Sequence, residues 1–258
     1  MKRIVSDRYF LGRKCIFCGN NKLYRLKDKR LKCKNCKKYY SIKKLKRDLE
    51  LLYYFYLEIS ARRAANELKL NYKSVHKKFM NFRKSIYNYQ NNECKKLNGE
   101  LEIDESYFGG KRKGNRGRGA KNKAIVFGIL ERKGKIYTKI VENVSAETLM
   151  NEIKNKTNKG SVFYTDGWKS YASLEQYGKH NIIDHDKELV NNHNHINGIE
   201  GFWSFAKERF HKYHGISKIN YPFYVKEMEF RFNHRNENVY NMLTDICIVR
   251  RQFSPESG

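Results

Sequence analysis

Glu102-Ile103-Asp104-Glu105-Ser106-Tyr107-Phe108-Gly109-Gly110 is the stretch from which the rest of the chain can be read. Leu101 and Ile103 alternate with Glu102 and Asp104, the period-two pattern of a half-buried strand, and two glycines end it. An acid at a strand end is either a solvated edge residue or a metal ligand. The second reading gains weight further along. Val162-Phe163-Tyr164-Thr165 is another apolar strand and runs directly into Asp166-Gly167, while Glu200 opens an amphipathic helix. Two strand-end aspartates and a helix glutamate are oxygen donors of the kind that hold hard cations.

The elements around these acids give an order. Strands are expected over 101–107, 123–130 and 135–141, with a tight turn at Arg132-Lys133-Gly134 between the last two. Ser145 is placed to cap a helix over 146–156. The strand ending at Asp166, a short helix over 168–177, a strand at 181–183 and a long element from Ile196 follow. The pattern β-β-β-α-β-α-β-α, three antiparallel strands and then parallel crossovers, is that of a ribonuclease-H-like α/β mixed sheet with flanking helices. In such folds the acids sit on the first strand, the fourth strand and the last helix, the positions of Asp104, Asp166 and Glu200. Residues 109–122 between the first two strands hold five glycines and six basic residues, and read as a disordered loop when free or a DNA-contacting one when bound.

Charge is distributed unevenly. The chain of 258 residues carries +27 formally, of which residues 1–98 (28 basic, 7 acidic) supply +21. That density repels itself unless a polyanion is present, and nucleic acid is the natural partner. A membrane is disfavoured: no apolar run of eighteen residues occurs and the N-terminus lacks a signal-peptide core, so a reducing cytoplasm is expected. There, Cys15-Ile-Phe-Cys18 and Cys33-Lys-Asn-Cys36, fourteen residues apart, read as a four-thiolate structural zinc ribbon around a short hairpin. Gly19 and Lys37-Lys38 suit knuckle turns, and Cys94 and Cys247 read as ordinary buried or semi-buried thiols.

Residues 45–59 have helical spacing, Ser60 caps a second helix over 61–68, and Asn71 caps a third with an apolar stripe of Val75, Phe79, Phe82 and Ile86. Lys73, His76, Lys77, Lys78, Arg83 and Lys84 are expected on its other faces. A basic third helix suggests a helix-turn-helix entering a major groove, the alternative being a plain bundle with a solvated basic face. Residues 88–99 read as a connection. The expected domains are therefore a ribbon over 1–44, a helix-turn-helix region over 45–98 and a catalytic domain over 99–258.

Phosphodiester chemistry suits the acids. Two magnesium or manganese ions about 3.5–4 Å apart can activate the attacking oxygen and stabilise the departing one. Asp104 would bridge the pair, with Asp166 on one ion and Glu200 on the other; Glu105 points to the opposite strand face. Asp184, Asp186, Glu188 and the His193-Asn194-His195 loop compete for the third position. Glu200 leads because Ile196, Ile199, Trp203, Ala206 and Phe210 form a buried stripe that it flanks, with Lys207 two turns on along nearly the same face.

Four segments carry a resemblance: 104–110 (Asp-Glu-Ser-Tyr-Phe-Gly-Gly), 164–168 (Tyr-Thr-Asp-Gly-Trp), 194–207 (Asn-His-Ile-Asn-Gly-Ile-Glu-Gly-Phe-Trp-Ser-Phe-Ala-Lys) and 230–235 (Phe-Arg-Phe-Asn-His-Arg). Together they resemble DDE transposases of bacterial insertion sequences, in the ISXO2-like group, which begin with a zinc ribbon and a helix-turn-helix. The resemblance implies an enzyme that binds the terminal inverted repeats of its element, cuts the ends and joins them to target DNA, as a homo-oligomer on double-stranded DNA. It implies Asp104, Asp166 and Glu200 as catalytic acids and Lys207 as the cation after the third. The aromatic segment 221–236 matches a helix read as packing. A DNA-binding regulator with an inactive catalytic-like domain, or a structure-specific nuclease, are the other readings of the same residues.

Overall fold

The computed structural model of the chain describes residues 14–92, 96–109, 123–166, 169–183, 195–213 and 215–249. Cys94, the glycine-rich loop beyond Gly109, Asp184, Asp186, Glu188, His193 and Asn194 lie outside them. The described residues form two compact units. One comprises the chain up to Tyr89 together with the segment from Asn236 onward; the other is Gln90–Arg235.

The first unit begins with a small antiparallel sheet of β1 (Leu23–Arg25), β2 (Leu31–Cys33) and β3 (Tyr39–Tyr40). Helix α1 (Ile42–Tyr56) follows, starting three residues before the sequence spacing suggests because the Ser41 side chain accepts from the Lys44 N–H. Helix α2 (Ala61–Glu67) is capped by Ser60 as expected, and α3 (Tyr72–Asn91) by Asn71, whose Oδ1 accepts from the Lys73 and Ser74 N–H groups. Val75, Phe79, Phe82 and Ile86 are buried, and the Phe79 and Phe82 rings pack edge-on against Phe55 of α1. The basic face of α3 is narrower than expected. Arg83 is 3% exposed, its guanidinium 5.2 Å from the centre of the Phe55 ring, so it is a core residue. Lys78 is bound to Asp48 at 2.5 Å. Tyr72, Lys73, Ser74 and Lys77, all on the first two turns, are exposed. Helix α3 also runs to Asn91, into the stretch expected to be a connection.

This unit is completed from the other end of the chain. Helix α7 (Val239–Thr244) and the turn of π-helix after it pack on α1, with the Tyr240 ring edge-on to Tyr53 and Tyr56, and the Cys247 thiol donating to the Phe82 carbonyl. The segment from Asn236 onward, expected within the stretch 99–258, thus groups with the first unit. Leu243, Ile246 and Cys247 need an apolar surface, and the first unit supplies it.

The second unit is a five-stranded sheet of order β6-β5-β4-β7-β8, built from β4 (Glu100–Phe108), β5 (Ala124–Glu131), β6 (Ile136–Val141), β7 (Val162–Asp166) and β8 (Lys179–Ile183). The first three pair antiparallel, while β4–β7 and β7–β8 are parallel. This is the expected ribonuclease-H-like order. Helix α4 (Ala146–Lys156), capped by Ser145, and a 3-10 helix (Lys169–Gln176) cover one face. Their Leu149, Ile153, Tyr171 and Leu174 bury Leu101, Ile103, Phe127 and Phe163. Helix α5 (Asn197–Phe210) covers the other, through Ile199, Phe202, Trp203 and Ala206. As the middle strand, β4 has both faces buried. That corrects the half-buried reading: Glu102 is buried beneath a helix, and Asp104, on the same face, is half-buried there.

Helix α6 (Tyr221–Asn233) closes the edge strand β6. The Asn233 side chain accepts from the Ile136 N–H at 2.7 Å and donates to the Ile136 carbonyl at 2.9 Å. Glu229 Oε2 accepts from the Thr138 N–H (2.7 Å) and hydroxyl (2.6 Å), and from Lys226 Nζ (2.7 Å). Glu229 and Lys226 are buried, so each relies on the other for charge compensation. Glu229→Ala is expected to cost about 3–5 kcal/mol of stability by leaving Lys226 and the strand edge unpaired, measured by urea unfolding beside Glu229→Gln, which keeps the acceptor and loses less.

Candidate active site

The three acids singled out in the sequence lie at one end of the second unit. In parallel pairing Glu102 is level with Tyr164, so Asp104 and Asp166, two residues further on each strand, share a face on the two central strands. Helix α5 lies over that face and carries Glu200 in its first turn, exposed, and Lys207 in its last turn, also exposed. The Asp104 carboxyl is pushed up to about 6, first by burial and further by the negative charges of Asp166 and Glu200. The charges of the other two acids thus both reach Asp104. Among the described residues no three acid or histidine ligand atoms lie within 4.8 Å of one another. A bridged ion pair does not require that, because ions about 4 Å apart with metal–oxygen distances of about 2 Å separate their outer ligands further.

Several contacts fix Asp104 that the sequence does not announce. The Trp203 indole N–H donates to Asp104 Oδ2 at 2.9 Å. This is possible because Gly128 stands opposite Asp104 on β5: a Cβ there would lie 2.8 Å from Trp203 Cζ2 and 3.2 Å from Ile199 Cδ1. Any larger residue would push the indole off the sheet. Glu102 is 1% exposed, and its Oε2 accepts from the Ile199 N–H of α5 at 2.8 Å. Arg132 Nε donates to Glu102 Oε1 at 3.1 Å. Glu105 sits on the far face, accepting from the buried Tyr171 hydroxyl at 2.8 Å, as the strand alternation requires. His195, from the competing loop, faces Glu102, its Nδ1 3.8 Å from Oε1.

The cysteines form the second constellation. The Sγ atoms of Cys15, Cys18, Cys33 and Cys36 all lie within 4.8 Å of one another, with Cys15–Cys36 and Cys18–Cys33 each at 3.6 Å. A zinc tetrahedron with Zn–S bonds of about 2.3 Å has sulfur–sulfur edges of about 3.8 Å. Gly19 (φ 71°) and Lys37 (φ 59°) take the left-handed turns after each pair. Burial pushes the Cys15 thiol up to about 12, while the Asn20 backbone N–H draws Cys18 down to about 6. Four thiolates at neutral pH therefore require a cation, and the donor set fits zinc with no open position.

The ISXO2-like transposase domain matches residues 96–233, more than half of the chain. The chain belongs to that family. It is 42% identical over 102 residues to an uncharacterized transposase-like protein of Haemophilus influenzae, covering 39% of this chain and 83% of that one. It is 24% identical over 197 residues to an uncharacterized protein in the transposable element ISH50 of Halobacterium salinarum, covering 69% of this chain and 66% of that one. Among solved structures, the catalytic core domain of BIV integrase superposes with a TM-score of 0.33 at 11% identity, covering 49% of this chain and 79% of that one. Family membership rests on the sequence match and the fold on the strand order. No helix among the described residues is long and apolar enough to cross a membrane.

Two measurements follow from this geometry. In a Trp168→Phe variant, the only remaining indole is that of Trp203, and its fluorescence should titrate with a midpoint near pH 6 in metal-free protein. Above that pH Asp104 is ionised and accepts the N–H bond strongly; below it the carboxyl is protonated. Adding Gly128→Val should abolish the transition. For the ribbon, about one zinc per chain is expected by elemental analysis. Cys33→Ser should lose it and lower the unfolding temperature of the first unit.

Proposed function

We propose that this member of the transposase family cuts the ends of its insertion sequence and joins them to target DNA at the Asp104, Asp166 and Glu200 site. The observation that carries the reading is the register that sets Asp104 and Asp166 on one face of the two adjacent strands, with Glu200 in the first turn of the helix laid over that face. Three negative groups within electrostatic reach of one another suit divalent cations, and magnesium or manganese fits their oxygen donors. Bound there, such ions supply a Lewis acid for both the attacking and the departing oxygen.

The protein's own part is positional. Asp104, held by the Trp203 N–H, presents its remaining oxygen to the shared position, with Asp166 and Glu200 on either side. Lys207, two turns along α5, sets an ammonium where a backbone phosphate would lie. Water is the nucleophile when the 3′-hydroxyl is freed, and that hydroxyl is the nucleophile in joining, so one site serves both steps. The exposed first turns of α3, with Tyr72, Lys73, Ser74 and Lys77, enter the groove of the terminal repeat, and the zinc ribbon holds the start of the unit rigid. Because two ends are joined together, the active form is an oligomer on DNA.

The test is strand transfer. The purified protein is incubated with magnesium, a supercoiled target and labelled duplexes from the DNA flanking its gene. Joined products are expected from the wild type, reduced about a thousandfold or more in Asp166→Asn and Glu200→Gln, since a lost ligand forfeits several kcal/mol of transition-state stabilisation. Undiminished joining by Glu200→Gln would remove Glu200 from the site. Nicking without joining would make the protein a nuclease, and binding without cleavage a regulator.

A further inference from the structure

Glu102 takes no part in the chemistry above, yet it is the most deeply buried carboxylate on β4. Its two oxygens are divided between two tasks. Oε2 accepts from the Ile199 N–H, inside the first turn of the helix that carries Glu200 one residue later. Oε1 accepts from Arg132 Nε. Arg132 in turn donates from a terminal nitrogen to the His195 carbonyl at 2.5 Å, just before the helix, and lies 3.7 Å from the centre of the Tyr164 ring. A further terminal nitrogen is 3.6 Å from Glu100 Oε2, and the Tyr164 hydroxyl donates to Glu100 Oε1 at 3.0 Å. Both sides of the start of α5 are therefore tied to one end of β4. Gly198 permits the approach: a Cβ there would sit 2.8 Å from Glu102 Oε2 and 2.7 Å from Leu130 Cδ2.

We infer that Glu102, with Arg132, is a positioning residue for the metal site: it fixes the height and rotation of the first turn of α5, and hence the place of Glu200 relative to Asp104. Glu102 and Asp104 stand on the same face of the same strand, two residues apart, so one rigid strand sets both ends of the site. A negative group at a helix N-terminus is favoured by the unpaired N–H groups and the dipole, and burial beside a guanidinium strengthens that hold. Apolar packing alone leaves a helix free to slide by a fraction of an ångström; a shared hydrogen bond to a main-chain N–H does not.

The inference rests on Glu200 being a metal ligand, and one experiment separates the two ideas. Manganese binding to the zinc-loaded full chain, without DNA, is followed by paramagnetic resonance of the free ion. Wild type, Glu102→Gln, Glu200→Gln and the double variant are compared, with thermal melting as a control for folding. Glu102→Gln is expected to weaken manganese binding about tenfold, as loss of an outer-shell partner does. The double variant should bind no more weakly than Glu200→Gln alone. Wild-type affinity in Glu102→Gln beside a weakened Glu200→Gln, or effects that multiply in the double variant, would overturn the positioning role. Wild-type affinity in Glu200→Gln would instead remove its premise. Should Glu102→Gln fail to fold, Gly198→Ala decides: it keeps every charge, pushes the helix from Glu102, and must weaken manganese binding if the role is real.

Discussion

A strand buried on both faces and carrying acids is the constraint on which the second unit depends. Burying a carboxylate is unfavourable unless each oxygen finds a donor or a cation. On β4 the three acids beyond Glu100 meet that demand in three ways. Glu102 uses a guanidinium and a helix N–H, Glu105 a tyrosine hydroxyl from the opposite layer, and Asp104 an indole N–H with a backbone N–H of its own strand. Asp104 is the one pushed up to about 6, with two more carboxylates acting on it. Among the three, the acid at the proposed centre is held in the manner best suited to an incoming cation.

The layers follow from that strand. Helix α5 must approach closely enough for Trp203 and the Ile199 N–H to reach carboxylates on β4, which requires Gly128 and Gly198 at the two points of contact. On the other face the demand is met mostly by apolar side chains, with Tyr171 the polar exception. In the first unit the organising elements differ: four converging sulfurs at one end, and a Phe55–Phe79–Phe82 cluster joined by Arg83 within the helices.

How much of this was legible in the sequence depends on how local each signal is. The cysteine pairs and the caps at Ser60, Asn71 and Ser145 are written within a few residues, and the structure places them as read; Asp166 does end its strand, whereas Asp104, read as a strand-end acid, lies in the middle of β4, which runs on to Phe108. Strand order was legible because hairpins and crossovers leave few topologies. What was not legible requires two distant positions at once. Trp203 reads as one more apolar residue until strand β4 is beneath it, Gly128 as a strand glycine until the register sets it opposite Asp104, and Arg132 as a turn residue. Arg83 looks like part of a basic face because periodicity counts charge, whereas its guanidinium is buried over the Phe55 ring. The C-terminal segment carries no composition shift to show that it returns to the first unit.

The helix laid along β6 has an implication for assembly. An open strand edge is a template on which a second chain can continue a sheet. On β6 that possibility is closed: the donor and acceptor of Ile136 are both taken by Asn233, and the Thr138 N–H by Glu229. A second chain could extend the sheet at these positions only by first breaking the bonds to α6, so this side of the domain is guarded against unwanted strand addition.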